Sequence, residues 1–472
     1  MRTIPALHEE TLTGWGMRNA SRCSMARPEH MDDVAGLLDT AVREELTIGL
    51  RAGGCSYGDA ALNTGQIVLD TSALNHVIEW NPDTGHITVE PGVTIAQLWR
   101  TTLPDGWWPV VVPGTSAVTV AGAAAANIHG KNNWRVGCFG DYIISFDLLL
   151  SSGETVRCSR DEHSDLFYAA ISGMGLLGFF TRLTLQTGRV HSGWVRETQT
   201  AHGSLGDLLA ALDVATGLSS DLVAWIDTGA KGPELGRGLL RAGHDLAEGE
   251  DPDPRKSMSL EVQEHRSPLL KILPADLIPT LARPMTSPLG VWAANRAQWR
   301  RGQSERSGQP RTEPYAAANF LLDAIPNWRK TYLPGGLIQH QSFIPHDAAL
   351  AAFREILERS HTAGIVPSLS VLKKHRAADE YLVNYLVDGY SLALDYPVRR
   401  GEEERIMRLM RTLNDVVANY GGRLYFAKDS TATAEQVRRM LSADRLERFR
   451  ALKWQYDARG VFSTDLYRRA LA

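Results

Sequence analysis

Two side chains that can exchange a proton, His129 and Lys131, follow a run of very small residues. At residues 121–126 every side chain is a methyl group or a hydrogen atom, so another backbone or a flat ligand can lie directly against this segment. Thr115 and Thr119 add hydroxyl donors just before the run. The pattern indicates either a surface for a planar ligand with proton-transferring groups at its edge, or a tightly packed helix with an internally satisfied histidine.

A glycine-rich loop, Ala-Gly-Gly-Cys-Ser-Tyr-Gly-Asp at residues 52–59, follows a short strand predicted at residues 46–51. Its glycines free the backbone to turn several N–H groups toward one point, which is the arrangement that binds anions such as a pyrophosphate. An ordinary glycine turn is the alternative. Together with the small-residue run, the loop favours a ligand site.

Two short motifs in the same half match signatures of other enzyme classes. Residues 173–178 match the GxGxxG fingerprint of dinucleotide-binding folds, but that fingerprint lies after a strand and before a helix. The order predicted here is helix, glycines, strand, which argues against that fold. Residues 54–58 match the GxSxG elbow of hydrolases, which must open a helix. The polar, glycine-bounded stretch that follows disfavours a hydrolase.

The elements that position these residues are predicted from periodicity. Helical spacing occurs at residues 28–45, and Thr94 with Gln97 forms a capping box that opens a helix through Leu103. Further helices are predicted at residues 165–172, 204–215, 348–361 and 403–420, and charge-rich loops at 248–256 and 296–314. Strands are predicted at 67–70, 77–80 and 86–90 as a meander, then at 107–112, 143–150, 154–158, 179–186, 223–228, 320–322, 336–344, 368–373 and 391–396. The interleaving indicates α+β architecture.

Length and composition limit the class of protein. With 472 residues, of which 43% are hydrophobic, the chain exceeds the roughly 250 residues at which single cores stop growing, so two domains are expected. A net charge of -4 argues against a nucleic-acid partner. No signal-like or membrane-spanning apolar segment is present, which predicts a cytoplasmic protein, with a peripheral membrane contact left open. The cysteines lack zinc-site spacing, so no metal is expected.

Several of these motifs occur together, in the same order, in one flavoprotein superfamily. The chain resembles the vanillyl-alcohol-oxidase superfamily of FAD-binding oxidoreductases and, within it, the flavoprotein subunits of decaprenylphosphoryl-ribose 2-epimerases. The likeness rests on residues 13–16, 52–59, 113–115, 128–132, 173–178, 339–341, 370–373, 424–430 and 461–465. It implies an α+β fold with a two-subdomain FAD-binding domain (1–190), a substrate-binding domain on an antiparallel sheet (191–422) and a C-terminal segment (423–472) that returns to the FAD domain.

The resemblance implies a non-covalent FAD. Its pyrophosphate is expected on the backbone of residues 53–57, and its isoalloxazine ring against residues 122–129. The cofactor-binding residues carried over from the family are Gly53, Gly54, Cys55, Ser56, Tyr57, Pro113, Gly114, Thr115, Thr119, Gly122, Ala125, Ala126, Ile128, His129, Gly130, Met174, Gly178, Phe180 and Tyr425.

The resemblance also implies a reaction, the oxidation of a secondary hydroxyl of a sugar to a ketone by hydride transfer to the flavin. The expected substrate is a polyprenylphosphoryl ribose that is oxidised at C2. This oxidation is the first half of a 2-epimerisation in cell-wall or natural-product biosynthesis. A separate NAD(P)H-dependent ketoreductase is expected to complete the epimerisation. The alternatives are a soluble sugar, nucleoside or glycosylated natural product as substrate, or a flavin-binding protein without turnover. Lys428 is the expected proton acceptor, with His129 and Tyr57 as alternates. Substrate binding is expected at Lys131, Gln339, Gln341 and Lys373.

Departures from the family pattern affect two of these expectations. Cys55 stands where covalently flavinylated relatives carry the histidine that is linked to FAD, so a histidyl linkage there is excluded. Residues 374–389 diverge and are expected to border the cavity mouth, which weakens the case for a lipid-linked substrate. Leu269, Leu270, Ile272 and Leu273 offer an apolar strip for a lipid.

Overall fold

The structure is a computed structural model that describes residues 6–264, 277–304 and 308–472. Its helices and largely antiparallel sheets form a mixed architecture, which confirms the expected α+β fold class. No described helix has both the length and the apolarity needed to span a membrane. The predicted apolar strip of Leu269, Leu270, Ile272 and Leu273 lies outside the described residues.

The first sheet contains the strand that leads into the glycine loop. Strand β1 (His8–Thr13) pairs antiparallel with β2 (Ala20–Ala26). Helix α1 (Met31–Arg43), which buries its predicted apolar face, connects β2 to β3 (Ile48–Arg51). Strand β4 (Ile67–Asp70) lies between β2 and β3 and runs parallel to both. The prediction that this strand begins a meander is therefore wrong. Its side chains are all buried, as in a central parallel strand that is covered on both faces.

The second sheet is antiparallel and lies beside the small-residue segment. The elements of this part are β5 (Val77–Asn81), β6 (His86–Val89), α2 (Ile95–Thr102), β7 (Trp107–Trp108), α3 (Val120–Ala125), α4 (Asn133–Val136), β8 (Ile143–Leu149), β9 (Thr155–Ser159), α5 (Ser164–Ala170), β10 (Phe179–Gln186) and β11 (Gly188–Arg189). The strand order is β5-β6-β10-β8-β9. The capping box of Thr94 and Gln97 opens α2, as predicted. The strand predicted at 107–112 ends after Trp108, because Pro109 has no N–H to donate to a ladder.

The third sheet carries much of the second half of the chain. The elements here are β12 (Trp194–His202), α6 (Leu205–Ala215), β13 (Asp221–Ile226), β14 (Gly238–Asp245), α7 (Pro254–Ser257), α8 (Leu260–Gln263), α9 (Ile278–Ala282), α10 (Pro288–Gly302), β15 (Arg311–Pro314), α11 (Tyr315–Asn319), β16 (Leu337–Pro345), α12 (His346–Thr362), β17 (Leu369–His375), β18 (Gly389–Pro397), α13 (Glu403–Asn419) and β19 (Arg423–Leu424). All of its pairs are antiparallel, in the order β15-β12-β14-β13-β17-β18-β16-β19.

Two predictions for this half are wrong. The predicted strand at residues 320–322 is the start of a 3₁₀ turn, Leu321–Ala324. The predicted loop at 296–314 contains the end of α10 and all of β15. Helix α10 forms because Val291, Asn295 and Trp299, which recur every fourth residue, are buried on one face, whereas the arginines that suggested a loop lie on the exposed side.

The C-terminal segment contacts the first sheet. Its helices are α14 (Ala434–Met440) and α15 (Ala443–Tyr456). The buried ammonium group of Lys453 donates to the carbonyl oxygens of Leu176 (2.9 Å) and Phe462 (2.7 Å). Phe462 forms a parallel bridge with Ile48, next to the glycine loop. The domain boundaries at residues 190 and 422 stay predictions.

Candidate active site

A cavity of about 1800 Å³, measured to its open mouth, lies between the glycine loop, helix α3 and the third sheet. The predicted site residues that line it are Gly53, Gly54, Cys55, Ser56, Tyr57, Pro113, Gly114, Thr115, Thr119, Gly122, Ala125, Ala126, Ile128, His129, Lys131, Met174, Phe180, Gln339, Gln341, Lys373, Tyr425 and Lys428. The fold thus brings both halves of the chain and the C-terminal segment to one cavity.

Two of the predicted cofactor residues, Gly130 and Gly178, do not line this cavity. A Cβ atom on Gly178 would lie 2.7 Å from the Leu148 side chain, so glycine is needed there for packing between strands. A Cβ atom on Gly130 would lie 2.3 Å from Oδ1 of Asn132. Gly175, with a φ of 74°, lines the cavity in the same glycine-rich segment as Gly178.

The glycine loop is held in an extended turn rather than opening a helix. Gly54 has a φ of 62°, and a Cβ atom on Gly53 would lie 2.6 Å from the carbonyl oxygen of Ala117. The backbone N–H of Trp15 donates to the Ser56 carbonyl (2.7 Å), and that of Tyr57 donates to the Ala427 carbonyl (2.8 Å). No helix follows within residues 52–66, so the nucleophile elbow of a hydrolase is absent from this loop.

The floor of the cavity is the short helix α3. Thr119 caps the helix by accepting a hydrogen bond from the N–H of Gly122 (3.3 Å). Ala121, Gly122 and Ala125 line the cavity from this helix. A Cβ atom on Gly122 would lie 3.3 Å from Cβ of Ala52, so the floor and the glycine loop are in close contact. A large side chain in this floor would project into the space beside the loop.

Three lysines from distant parts of the chain, Lys131, Lys373 and Lys428, line the same cavity. Burial lowers the pKa of Lys428 to about 8, although Asp395 acts in the opposite direction. Burial lowers the pKa of Lys373 to about 7, and repulsion from the other two lysines adds to this effect. Burial also lowers the pKa of Lys131, whose ammonium group donates to the carbonyl oxygen of Ala318. The cavity therefore gathers three amines whose charged forms burial disfavours.

His129 is a hydrogen-bonded neutral imidazole. Its Nε2 lies 3.1 Å from Nε2 of Gln341, and because the amide nitrogen can only donate, we assign His129 Nε2 as the acceptor. Burial and repulsion from Lys373 lower the pKa of His129 well below its usual value. The ring lies 4.8 Å from that of His375, which is fixed between Asn133 (3.0 Å) and Ser391 (2.7 Å). The sequence contained no signal for this His375 contact.

Burial also changes the pKa values of other titratable groups at the site. It raises the pKa of the Tyr57 and Tyr425 phenols, and the Tyr425 ring lies 4.0 Å from that of Tyr385. Burial raises the pKa of Asp395 to about 6, and this carboxylate accepts a hydrogen bond from the Gln339 amide at 2.5 Å. No sequence signal marks Asp395, because an isolated aspartate in an apolar strand carries no motif.

A buried ion-pair network fixes the glycine loop to the segment that carries Lys428. The guanidinium group of Arg469 donates to both carboxylate oxygens of Asp59 (2.7 and 2.9 Å) and lies 3.0 Å from the carboxylate of Asp429. A Cβ atom on Gly58 would lie 2.2 Å from the Asp429 carbonyl oxygen. The loop and Lys428 are therefore positioned as one unit.

The divergent residues 374–389 do not border the cavity, so that expectation is wrong. Arg376 forms an ion pair with Asp141 (3.2 Å), and Tyr381 donates a hydrogen bond to the same carboxylate (2.9 Å). The hydroxyl of Ser172 donates to the carbonyl oxygen of Val383 (2.7 Å). The segment packs against the first half of the chain. Its charged residues therefore do not line the cavity in which a lipid-linked substrate would bind.

These features fit FAD. A turned backbone loop that lines a cavity suits a pyrophosphate, and a floor of small side chains suits a flat ring system. The hydrogen-bonding and cationic side chains of His129, Gln341 and Lys428 line the same cavity, where a substrate would meet the ring. Among the described residues, no group of three metal-ligating side chains is arranged to hold an ion.

Comparisons with known proteins extend this picture. Residues 24–159 match the FAD binding domain family. The chain is 32% identical over 97% of its length to decaprenylphosphoryl-β-D-ribose oxidase of Mycolicibacterium smegmatis, of which 96% is covered. It is 29% identical over 80% of its length to an uncharacterized protein of Streptomyces coelicolor from the mprA 5′ region, of which 99% is covered. It is 27% identical over 34% of its length to D-arabinono-1,4-lactone oxidase of Yarrowia lipolytica, of which 31% is covered.

Proposed function

The chain belongs to the family of FAD-binding oxidoreductases that includes decaprenylphosphoryl-β-D-ribose oxidase, and from this membership we propose that it oxidises the C2 hydroxyl of a polyprenylphosphoryl ribose to a ketone. The expectation of an FAD-dependent oxidoreductase is confirmed by the same similarity. The substrate, the roles of individual residues and the partner enzyme are parts of the proposal.

The observation that carries the proposal is the cluster of Lys131, Lys373 and Lys428. These lysines line one cavity. The carboxylates of Asp221 and Asp395 favour the charged forms of the lysines, but burial raises the pKa of each of these two carboxyl groups to about 6. Holding buried amines together is unfavourable unless an anion stabilises their charged forms. A phosphoryl group on C1 supplies that anion next to C2, the carbon that reacts.

Lys428 is the proposed acceptor of the hydroxyl proton, at its Nζ. When FAD is bound, it supplies the acceptor for the hydride that leaves the carbinol carbon. A pKa of about 8 leaves part of the Lys428 amine neutral near neutral pH. The alternates are less available as proton acceptors, because its raised pKa keeps the Tyr57 phenol protonated and Nε2 of His129 already accepts a hydrogen bond from Gln341.

The other predicted residues are proposed to bind the sugar and its phosphate. Lys131 and Lys373 are the proposed phosphate ligands, and the amides of Gln339 and Gln341 provide donors and acceptors for the sugar hydroxyls. An apolar wall of the cavity gives the polyprenyl chain a path away from the lysines. This wall is formed by Val223, Leu321, Leu322, Leu369 and Val371.

A second enzyme is part of the proposal. Oxidation removes the stereocentre at C2, so an epimerisation is completed only when a hydride is returned to the opposite face of the ketone. We propose that a separate NAD(P)H-dependent ketoreductase performs that step.

The test is anaerobic bleaching of the bound flavin by three ligands: a short-chain polyprenylphosphoryl ribose, a matched ribose ether that lacks the phosphoryl group, and ribose 1-phosphate without a lipid. Loss of the phosphoryl group is expected to slow reduction at low substrate by at least about 30-fold, because leaving a buried charge unpaired costs about 2–5 kcal/mol. Absence of bleaching by the polyprenylphosphoryl compound would overturn the proposal. Equal rates with and without the lipid would move the assignment to a soluble sugar phosphate or glycoside.

A further inference from the structure

The segment Leu277–Ser304 exposes a set of large apolar side chains. The exposed fractions are 63% for Leu281, 55% for Met285, 73% for Leu289 and 52% for Trp292. The segment carries four arginines and no aspartate or glutamate. We propose that this surface, defined by Leu277, Leu281, Met285, Leu289, Trp292 and the arginines 283, 296, 300 and 301, docks on an anionic lipid bilayer.

The geometry of α10 separates a buried face from the proposed docking face. Val291, Asn295 and Trp299 recur at helical spacing and are buried, whereas Leu289 and Trp292 lie on the outward side of the helix. The guanidinium group of Arg296 lies 5.7 Å from the centroid of the Trp292 ring. Apolar side chains interspersed with tryptophan and arginine are typical of helices that lie in the headgroup region of a membrane.

The buried face of α10 is anchored, so rotation of the helix cannot hide its apolar side. The Trp299 ring lies under the guanidinium group of Arg237, 4.9 Å from its centroid. Arg237 is itself held by Asp227 at 2.8 Å, and both side chains are buried. The outward side chains are thus a stable feature of the surface.

The C-terminal part of α10 lines a cavity that adjoins the active site. A second cavity, of about 1830 Å³ including its open mouth, is lined in part by Ala297, Gln298 and Arg301 of α10. It shares four lining residues, Val223, Leu321, Leu369 and Val371, with the active-site cavity. These shared residues are all apolar. The second cavity therefore adjoins the apolar wall of the active-site cavity, and the two together offer a polyprenyl chain a route from α10 to the lysine cluster, a step that rests on the proposed function.

The positive charge of this surface favours an anionic lipid bilayer as the partner that docks on it. Arg283, Arg296, Arg300 and Arg301 are all exposed. Exposed arginines without neighbouring acidic residues in the segment complement anionic phospholipid headgroups, and each basic residue near such a surface strengthens attachment. A protein partner or a second copy of the chain is the competing occupant that the experiment must separate.

The experiment is co-sedimentation of the FAD-loaded protein with vesicles, without substrate. The vesicles are phosphatidylcholine alone or phosphatidylcholine with phosphatidylglycerol. We expect binding to the anionic vesicles that weakens with salt and falls at least tenfold in the double variant Leu289→Asp/Trp292→Asp. The matched control is Leu218→Asp/Trp454→Asp, since these two side chains are each 72% exposed and lie outside the segment. A second variant, Arg296→Gln/Arg300→Gln, is expected to lose the preference for anionic vesicles.

The inference is overturned if the wild type does not bind anionic vesicles, if Leu289→Asp/Trp292→Asp binds as the wild type does, or if the control pair weakens binding equally. A wild-type dimer that this variant dissociates, without vesicle binding, would assign the surface to a second copy of the chain. Flavin content and the unfolding midpoint check that each variant is folded. Vesicle binding without flavin bleaching by any polyprenylphosphoryl sugar would retain the docking surface and overturn only the proposed function.

Discussion

The ammonium nitrogen of Lys428 lies 3.8 Å from the centroid of the Tyr57 ring. The two residues come from opposite ends of the chain, and the N–H of Tyr57 also donates to the carbonyl oxygen of Ala427 at 2.8 Å. The glycine loop that is proposed to hold the FAD pyrophosphate therefore also sets the position of the proposed base. A substitution at Tyr57 is therefore expected to alter the position of Lys428, and a substitution at Lys428 that of Tyr57.

Lys428→Ala is expected to retain FAD and to lose flavin reduction. The lysine is assigned to the substrate hydroxyl, and loss of a proton-managing group costs about 10²–10⁴ in rate. Anaerobic stopped-flow reduction and the flavin-to-protein ratio measure the two effects separately. Lys231→Ala, which changes an exposed lysine, is the control. Reduction of the variant at the wild-type rate would remove Lys428 from the mechanism.

The rate of flavin reduction is expected to rise with pH and to level off above pH 8. The neutral amine is the active form, and burial lowers the pKa of Lys428 to about 8, so each unit below this value reduces the neutral fraction about tenfold. A profile of the single-turnover rate between pH 6 and 9 tests this. A flat profile would contradict the assignment, as would a rising limb that survives in Lys428→Ala.

Lys373→Gln is expected to weaken binding of the phosphoryl substrate by at least about 30-fold and to affect the phosphate-free ether much less. The pKa of about 7 produced by burial means that Lys373 is readily protonated when an anion binds beside it. Saturation kinetics with both ligands give the two changes, with Lys231→Gln as control. Equal losses for the two ligands would show that Lys373 does not bind the phosphate.

Arg469→Met is expected to reduce the free energy of unfolding by about 3–5 kcal/mol, because it leaves the buried carboxylates of Asp59 and Asp429 without their partner. It should also lower FAD retention, since the glycine loop loses its tie to the Lys428 segment. Urea unfolding of the holoenzyme provides the measurement. Arg408→Met, which removes an exposed pair with Glu404, is expected to change little. Similar losses in both variants would refute the structural role of Arg469.

FAD is expected to be released by acid precipitation, because its attachment is predicted to be non-covalent. Burial raises the pKa of the Cys55 thiol to about 11, so the reactive thiolate is scarce at neutral pH. Cys55→Ser should therefore retain releasable flavin in the wild-type proportion. Flavin that stays in the wild-type pellet but not in the Cys55→Ser pellet would show a covalent bond at this cysteine.

Local signals in the sequence were sufficient for many elements of this protein. The Thr94–Gln97 capping box, the amphipathic spacing of α1 and the alternating runs of β16, β17 and β18 each depend on neighbours within a few residues, and the structure contains all of them. The glycine loop and the small-residue floor were also visible, because glycine and alanine permit close approach wherever they occur. Membership of the flavoprotein family, and with it the FAD cofactor, followed from the order of these motifs.

Only the tertiary structure decided which side chains meet. Lys131, Lys373 and Lys428 are separated widely along the chain, and their lowered pKa values result from burial in one cavity rather than from any local pattern. His375, Asp395 and Arg469 belong to no motif and became evident only through their partners. The parallel pairing of β4 and the helical state of α10 depend in the same way on distant packing. Burial and long-range pairing are properties of the whole fold, whereas propensity and capping are properties of a few consecutive residues.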